Sequence, residues 1–85
     1  MTEPTASNGF APQSDFESQY NRVLEAAECG TQLELAVVLD IRQSAISDAK
    51  RRQSIPPGWL LTLFAKKRVS PEWIRSGLGN KTVGN

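Results

Sequence analysis

Polar side chains recur through one short segment of the chain at spacings of one, three and four residues. The set is Gln43, Ser44, Ser47, Asp48 and Arg51. In a helix these spacings bring the side chains onto one face. Their chemistry is hydrogen bonding: Gln43 can bond bidentately to adenine N6 and N7, and Ser44 can donate to or accept from several base edges. Such a face suits the major groove of double-stranded DNA.

Asp48 is the member of this set that DNA phosphates would repel. It becomes compatible with DNA either by accepting a hydrogen bond from cytosine N4 or through neutralisation by Arg51 or Arg52, at spacings of three and four. Both alternatives are open from the residues alone. We therefore predict four base-contacting residues: Gln43, Ser44, Ser47 and Asp48.

A second group of residues is suited to the phosphate backbone, because helix N-termini and cationic side chains position a protein on DNA without recognising its sequence. The predicted backbone contacts are Thr31, Gln32, Arg42, Lys50, Arg51 and Arg52. A plainer interpretation stays open, since the helix dipole alone favours cations in the last turn of a helix. The same holds for the basic cluster at residues 66–68.

The composition argues against catalysis. The 85 residues include no histidine and one cysteine, Cys29. This excludes His-based acid–base chemistry, Ser/His/Asp and Cys/His nucleophilic arrangements, and every His-containing or multi-cysteine metal site. We predict no enzymatic activity, no cofactor and no metal. A lone cysteine cannot form an internal disulfide, which favours the reducing cytoplasm of a bacterial cell, and Cys29 is interpreted as a packing residue.

Charge is divided between the two halves of the chain. Residues 1–40 contain seven acidic residues and one basic residue, a net charge of −6, whereas residues 41–85 contain nine basic and two acidic residues, a net charge of +7. One face of the molecule is therefore expected to lie near phosphate. The acidic side chains of the first half form either a solvated face or a surface for a basic protein partner: Glu17, Glu25, Glu28 and Glu34.

Capping residues and apolar spacing predict the helices that position these side chains. Ser14 with Glu17 forms a capping box for a first helix, and Asp15 is a competing cap. Gly30 is expected to end this helix because it can adopt positive φ. The helix has an apolar stripe: Phe16, Tyr20, Val23, Leu24 and Ala27.

A second capping box, Thr31 with Glu34, opens a second helix that runs to about Leu39. Residues 40–42 interrupt it briefly, and a third helix is predicted from Gln43 to Arg52. Two helices that cross through a tight turn need a small residue at the crossing and apolar residues in the angle between them. The sequence supplies both: Ala36 at the crossing, and Leu35, Leu39, Ile41, Ile46 and Ala49 in the angle.

Prolines mark two further helices. Pro57 suits the first turn of a fourth helix, and Ser70 before Pro71 caps a short fifth helix that stops at Gly77. Trp59 and Trp73 are expected in the core. Alternating Val, Ile and Thr runs are absent, so we predict an all-α domain of five helices without a sheet. Residues 1–14 are expected to form a disordered leader, 15–79 the helix-turn-helix domain, and 80–85 a linker or tail.

The second half of the chain resembles a known family. The run ISDAKRRQSIPPGWLLTLFAKKRVSPEWIRSGLG is similar to the N-terminal domain of bacteriophage CI-type repressors. In that family an S-D-A-K-R-R-like string is followed by I-P-x-x-W-L and later by S-P-x-W-I-x-x-G, which here are residues 47–52, 55–60 and 70–77. The similarity covers about residues 16–79. It implies a compact lambda-repressor-like fold and operator binding that controls transcription.

The resemblance also implies how the protein binds DNA. Family members have a C-terminal oligomerisation domain, so we expect either one domain of a longer repressor or a naturally short relative. Dimerisation on DNA, or through that further domain, would strengthen binding to two half-sites. Two positions depart from the family pattern: Asp40 stands where the turn usually has Gly, and Arg42 replaces a small polar cap. The alternative function is a protein-interaction module with the same fold, antitoxin-like or anti-repressor.

Overall fold

A computed structural model describes residues 15–83, which form five α-helices joined by short connections. The helices are α1 (Phe16–Ala27), α2 (Gln32–Leu39), α3 (Gln43–Arg52), α4 (Pro57–Lys67) and α5 (Pro71–Ser76). The prediction of an all-α, five-helix domain is confirmed for this part of the chain. The predicted leader, residues 1–14, lies outside the described residues, as do residues 84 and 85.

Helix α1 begins at the competing cap and ends before the expected glycine. The Asp15 carboxylate accepts a hydrogen bond from the Ser18 backbone N–H at 2.8 Å, and Ser14 is not among the described residues. The expected stop at Gly30 is wrong, because Glu28 adopts the left-handed conformation with φ 59°. The Cys29 N–H then donates to the Leu24 carbonyl at 3.1 Å, which closes the helix end two residues early.

One hydrophobic core contains residues from all five helices. It comprises Val23, Ala26, Ala27, Leu35, Ala36, Leu39, Ile46, Ala49, Trp59, Leu60, Leu63, Val69 and Ile74. Trp59 is buried as predicted, while Trp73 is half-buried against the same cluster. None of the helices formed by residues 15–83 is both long and apolar enough to cross a membrane.

The basic end of α4 holds the ends of two other helices. Lys66 Nζ donates to the Val38 carbonyl of α2 at 2.8 Å, and Lys67 Nζ lies 3.3 Å from a carboxylate oxygen of Glu28, which ends α1. Both contacts place a cation at the negative end of a helix dipole. These lysines therefore hold the ends of α1 and α2, contacts that the dipole of α4 alone did not predict.

The segment after Gly79 folds back onto the domain. The Ser70 N–H donates to the Lys81 carbonyl and the Val83 N–H to the Arg68 carbonyl, both at 2.7 Å. Positive φ at Gly79, 82°, contributes to the reversal that brings residues 81–83 to the α4–α5 connection. The prediction for this segment was a linker or a tail, and residues 81–83 pair with backbone groups of the connection as a tail held against the domain.

Candidate nucleic-acid interface

Helices α2 and α3 pack through the residues predicted for a helix-turn-helix. Ala36 is buried in the common core, and Ile41 is half-buried in the turn. The remaining residues of the angle are all buried: Leu35, Leu39, Ile46 and Ala49. The predicted bounds of α3, Gln43–Arg52, are those of the structure. Its polar side chains are consequently directed away from the core.

The turn closes without glycine. Asp40 adopts the left-handed conformation with φ 58°, and its N–H donates to the carbonyls of α2. The Ile41 N–H donates to the Ala36 carbonyl at 3.0 Å, so the turn forms a regular helix end. Arg42 then takes an extended conformation before α3, and its side chain makes no capping bond. Among the described residues, the Arg42 side chain has no hydrogen-bond or ion-pair partner, and it is exposed.

Gln32, the first residue of α2, bonds across to α3. Its amide nitrogen donates to Ser47 Oγ at 3.0 Å and approaches the Gln43 carbonyl at 3.5 Å. Its amide oxygen accepts from Lys50 Nζ at 3.5 Å, and that ammonium lies 5.3 Å from the centre of the Tyr20 ring. Ser47 and Lys50, which we predicted to contact DNA, are thus joined to α2 and α1. Ser47 keeps its hydroxyl hydrogen for a further acceptor.

Of the two alternatives for Asp48, the structure shows the ion pair. Its Oδ1 accepts from an Arg51 terminal nitrogen, and its Oδ2 lies 3.1 Å from Arg52 Nε. Gln43 and Ser44, the two predicted contacts nearest the turn, are exposed. The structure therefore brings all four predicted base-contacting residues to the outer surface of α3. They differ in whether another side chain of this domain already bonds to them, as is the case for Ser47 and Asp48.

The predicted capping box occupies the N-terminus of α2. Thr31 Oγ1 accepts from the Glu34 N–H at 3.1 Å, and the Glu34 carboxylate accepts from the Gly30 N–H at 2.9 Å. Hydrogen bonds from the backbone of Gly30, and then of Thr31, hold the pKa of Glu34 below its usual value. The carboxylate thus occupies part of the positive helix end that we assigned to phosphate.

Cys29 lies beside this cap and packs against the core. Burial, with a further contribution from the charge of Glu34, raises the pKa of its thiol, while Lys67 opposes the shift. A raised pKa keeps the thiol protonated at neutral pH and lowers its nucleophilicity. This environment agrees with the interpretation of Cys29 as a packing residue.

The exposed apolar face of α2 was not predicted from the sequence. Leu33 is 59% exposed and Val37 is 73% exposed, and they line a shallow groove that continues to Gln43. In the run QLELAVVL the apolar residues are spread around the helix and are not confined to one side. Because the core of a small domain covers one side of a helix, this distribution could have predicted that some of these residues are exposed.

Comparisons of the chain with protein-family models, with curated proteins and with solved structures found no match. The site is therefore defined by its own geometry: two helices joined by a tight turn, with an exposed polar face on the second. Every cation in the last turn of α3 bonds to another side chain of the site. The Arg42 side chain, in the turn, has no hydrogen-bond or ion-pair partner among residues 15–83.

Proposed function

We propose that this chain is a sequence-specific DNA-binding domain of a phage-type transcriptional repressor. The observation that supports this best is the contact of α2 with α3, in which Ala36 and Ile46 are buried and the polar face of α3 stays at the surface. A major groove about 12 Å wide admits one such helix. The resemblance of residues 46–79 to CI-type repressors supports the same function.

In this function, α3 enters the major groove and its first turn meets the bases. Gln43 donates to and accepts from adenine, and Ser44 contacts a neighbouring base edge. Arg42, Lys50 and Arg52 lie toward phosphates, which fix the register of the domain on DNA. One module makes few base contacts, so two copies would bind half-sites about one helical turn apart.

A titration monitored by NMR tests the interface. Double-stranded oligonucleotides are added to the isotope-labelled chain at about 50 mM and 200 mM salt, where phosphate contacts give a steep loss of affinity. We expect perturbed backbone amides within residues 31–52 and weaker binding at the higher salt concentration. Perturbation confined to other helices, or an affinity independent of salt, would refute the proposal.

A pair of variants separates base recognition from phosphate binding. We expect Gln43→Ala to weaken a selected site much more than random DNA, because a bidentate pair supplies about 1–3 kcal/mol of discrimination. Arg52→Ala should weaken both DNAs to a similar extent and reduce the salt dependence. Equal losses on both DNAs for Gln43→Ala would remove it from the base-contacting set.

The exposed Leu33 and Val37 support a second candidate, a protein-interaction module. Exposed apolar faces bordered by polar residues are common at protein–protein contacts. Val37→Asp distinguishes the two functions, because it places a charge on this face and leaves the outer face of α3 unchanged. A DNA-binding domain retains its affinity for a selected site in this variant, apart from a small loss due to the added negative charge.

A further inference from the structure

We propose that Arg51 recognises a guanine base and that Asp48 is a positioning residue that holds its guanidinium. The inference rests on the proposed DNA-binding function and assigns new roles within the same site. It replaces two predictions from sequence, which placed Asp48 among the base contacts and Arg51 among the backbone contacts.

Arg51 lies on the side of α3 that faces away from the core. Residues of an α-helix are separated by about 100°, so Arg51 lies within about 20° of Ser44 around the axis. The same geometry places Arg51 about 140° from Ile46 and about 160° from Ala49, the two buried residues of the helix. Arg51 thus lies in the last turn of α3 but on the same line along the outer face as Ser44, so its long side chain extends the base-contacting face beyond the first turn.

Arg52 has a different direction despite a similar environment. It lies about 60° from the buried Ala49 and about 180° from Gln43, at the flank of the helix. The two arginines are otherwise matched, since their side chains are 73% and 71% exposed and both pair with Asp48. Flanking cations lie toward the groove wall and bind phosphate.

Asp48 bonds to both arginines through its two carboxylate oxygens. One oxygen pairs with Arg51 and the other with Arg52 at 3.1 Å. The two arginines take about half of the acceptor sites of the carboxylate and neutralise its charge, which weakens its attraction for cytosine N4. Arg51 has five N–H donors and offers one terminal nitrogen to Asp48. Its remaining donors suit the O6 and N7 acceptors of guanine.

A held arginine is a better base contact than a free one. Ordering a long side chain on binding costs conformational entropy, and the bond to Asp48 restricts Arg51 before DNA arrives. The carboxylate also reduces the attraction of this part of α3 to phosphates in general. Asp48 therefore favours the specific contact over non-specific binding.

The spacing predicts where the guanine lies. Ser44 and Arg51 are separated by about 10.5 Å along the helix axis, at 1.5 Å per residue. Successive base pairs are about 3.4 Å apart, so we expect the guanine roughly three base pairs from the base pair that Ser44 contacts.

Selection from a random double-stranded DNA library tests the inference with the full 85-residue chain. The wild-type chain should enrich a motif with one strongly preferred guanine. Arg51→Ala and Arg51→Lys should both lower that preference by at least about fivefold, because lysine keeps the charge but loses the bidentate fork. Arg52→Ala, the matched control, should lower affinity without changing the preferred bases. Circular dichroism verifies that each variant is folded.

Asp48→Asn separates positioning from direct recognition. As a positioning residue, Asp48 affects the same guanine, so Asn should weaken that preference by about 1.5- to 5-fold, the range of an exposed ion pair, and should increase binding to random DNA. Loss of a cytosine preference instead would identify Asp48 as a base contact and overturn the inference. A motif that both Arg51 variants leave unchanged would also overturn it. Failure of the wild-type chain to enrich any motif would contradict the proposed function itself.

Discussion

Side chains on the outer surface of α2 and α3 form hydrogen bonds with one another before any ligand is bound. Gln32 joins Ser47 and Lys50, and Asp48 pairs with two arginines. The residue types and the exposed face of α3 could be predicted from spacing alone. The partners could not, because the contact between Gln32 and Ser47 depends on how two helices cross.

Glu34 gives the domain a stability that depends on pH. Its pKa in the folded protein is lowered from 4.5, first by the hydrogen bond from the Gly30 N–H. A lowered folded-state pKa stabilises the fold above the unfolded value, and this contribution is lost as the pH falls through the folded pKa. We therefore expect Glu34→Gln to unfold at lower urea concentration than wild type at pH 7, with the difference shrinking as the pH falls below about 4.5.

Glu17→Gln provides the control for this measurement. Glu17 also lies in the first turn of a helix, but the structure shows no bond from its carboxylate to the described residues. Its substitution removes no capping hydrogen bond and should therefore lower the urea midpoint at pH 7 much less. An equal change in both variants would mean that the dipole of the helix, and not the capping box, is responsible.

Helix starts had clearer markers in the sequence than the conformations that close the helix ends. Thr31 and Ser70 act as caps with side-chain hydrogen bonds, as their residue types predict. Four of the five ends instead use left-handed residues other than glycine: Glu28, Asp40, Gln53 and Arg68. Their left-handed conformation has no strong marker in the sequence, because it is imposed by the packing of the next segment.

Asp40 is a helix end where glycine should be favourable. Its φ of 58° costs an L-residue about 1–2 kcal/mol, which glycine avoids at some expense in unfolded-state entropy. We expect Asp40→Gly to stabilise the domain by about 0.5–1 kcal/mol in chemical denaturation. Asp40→Ala keeps the strain and should not be stabilising. An equal gain from alanine would show that removal of the charge matters more than the backbone.

Contacts distant in sequence determine how the helices are held together. Arg22 Nε donates to the Ile74 carbonyl at 2.7 Å, and Lys81 Nζ lies 3.1 Å from a Glu25 carboxylate oxygen. Both link α1 to the C-terminal part of the domain. Amphipathic spacing predicts which face of a helix is buried, but not which residue meets a carbonyl more than fifty positions away, as Arg22 does. The return of residues 81–83 was missed for this reason.

Removal of residues 80–85 should therefore destabilise the whole domain. It eliminates two backbone hydrogen bonds at 2.7 Å and the ion pair with Glu25, and we expect a loss of about 1–3 kcal/mol in the free energy of unfolding. Lys81→Ala removes the ion pair alone and should cost about 0.2–1 kcal/mol. A truncated chain as stable as the full chain would show that the returning segment contributes nothing.

The two tryptophans give the domain built-in optical reporters. Trp59 is 5% exposed in the core, whereas Trp73 is half-buried with the Lys81 ammonium 5.6 Å from its ring centre. The core indole should emit at shorter wavelength, and the emission of Trp73 should respond to departure of the returning segment. Neither tryptophan belongs to α3, so fluorescence can follow unfolding and detachment of the C-terminal segment independently of contacts made by that helix.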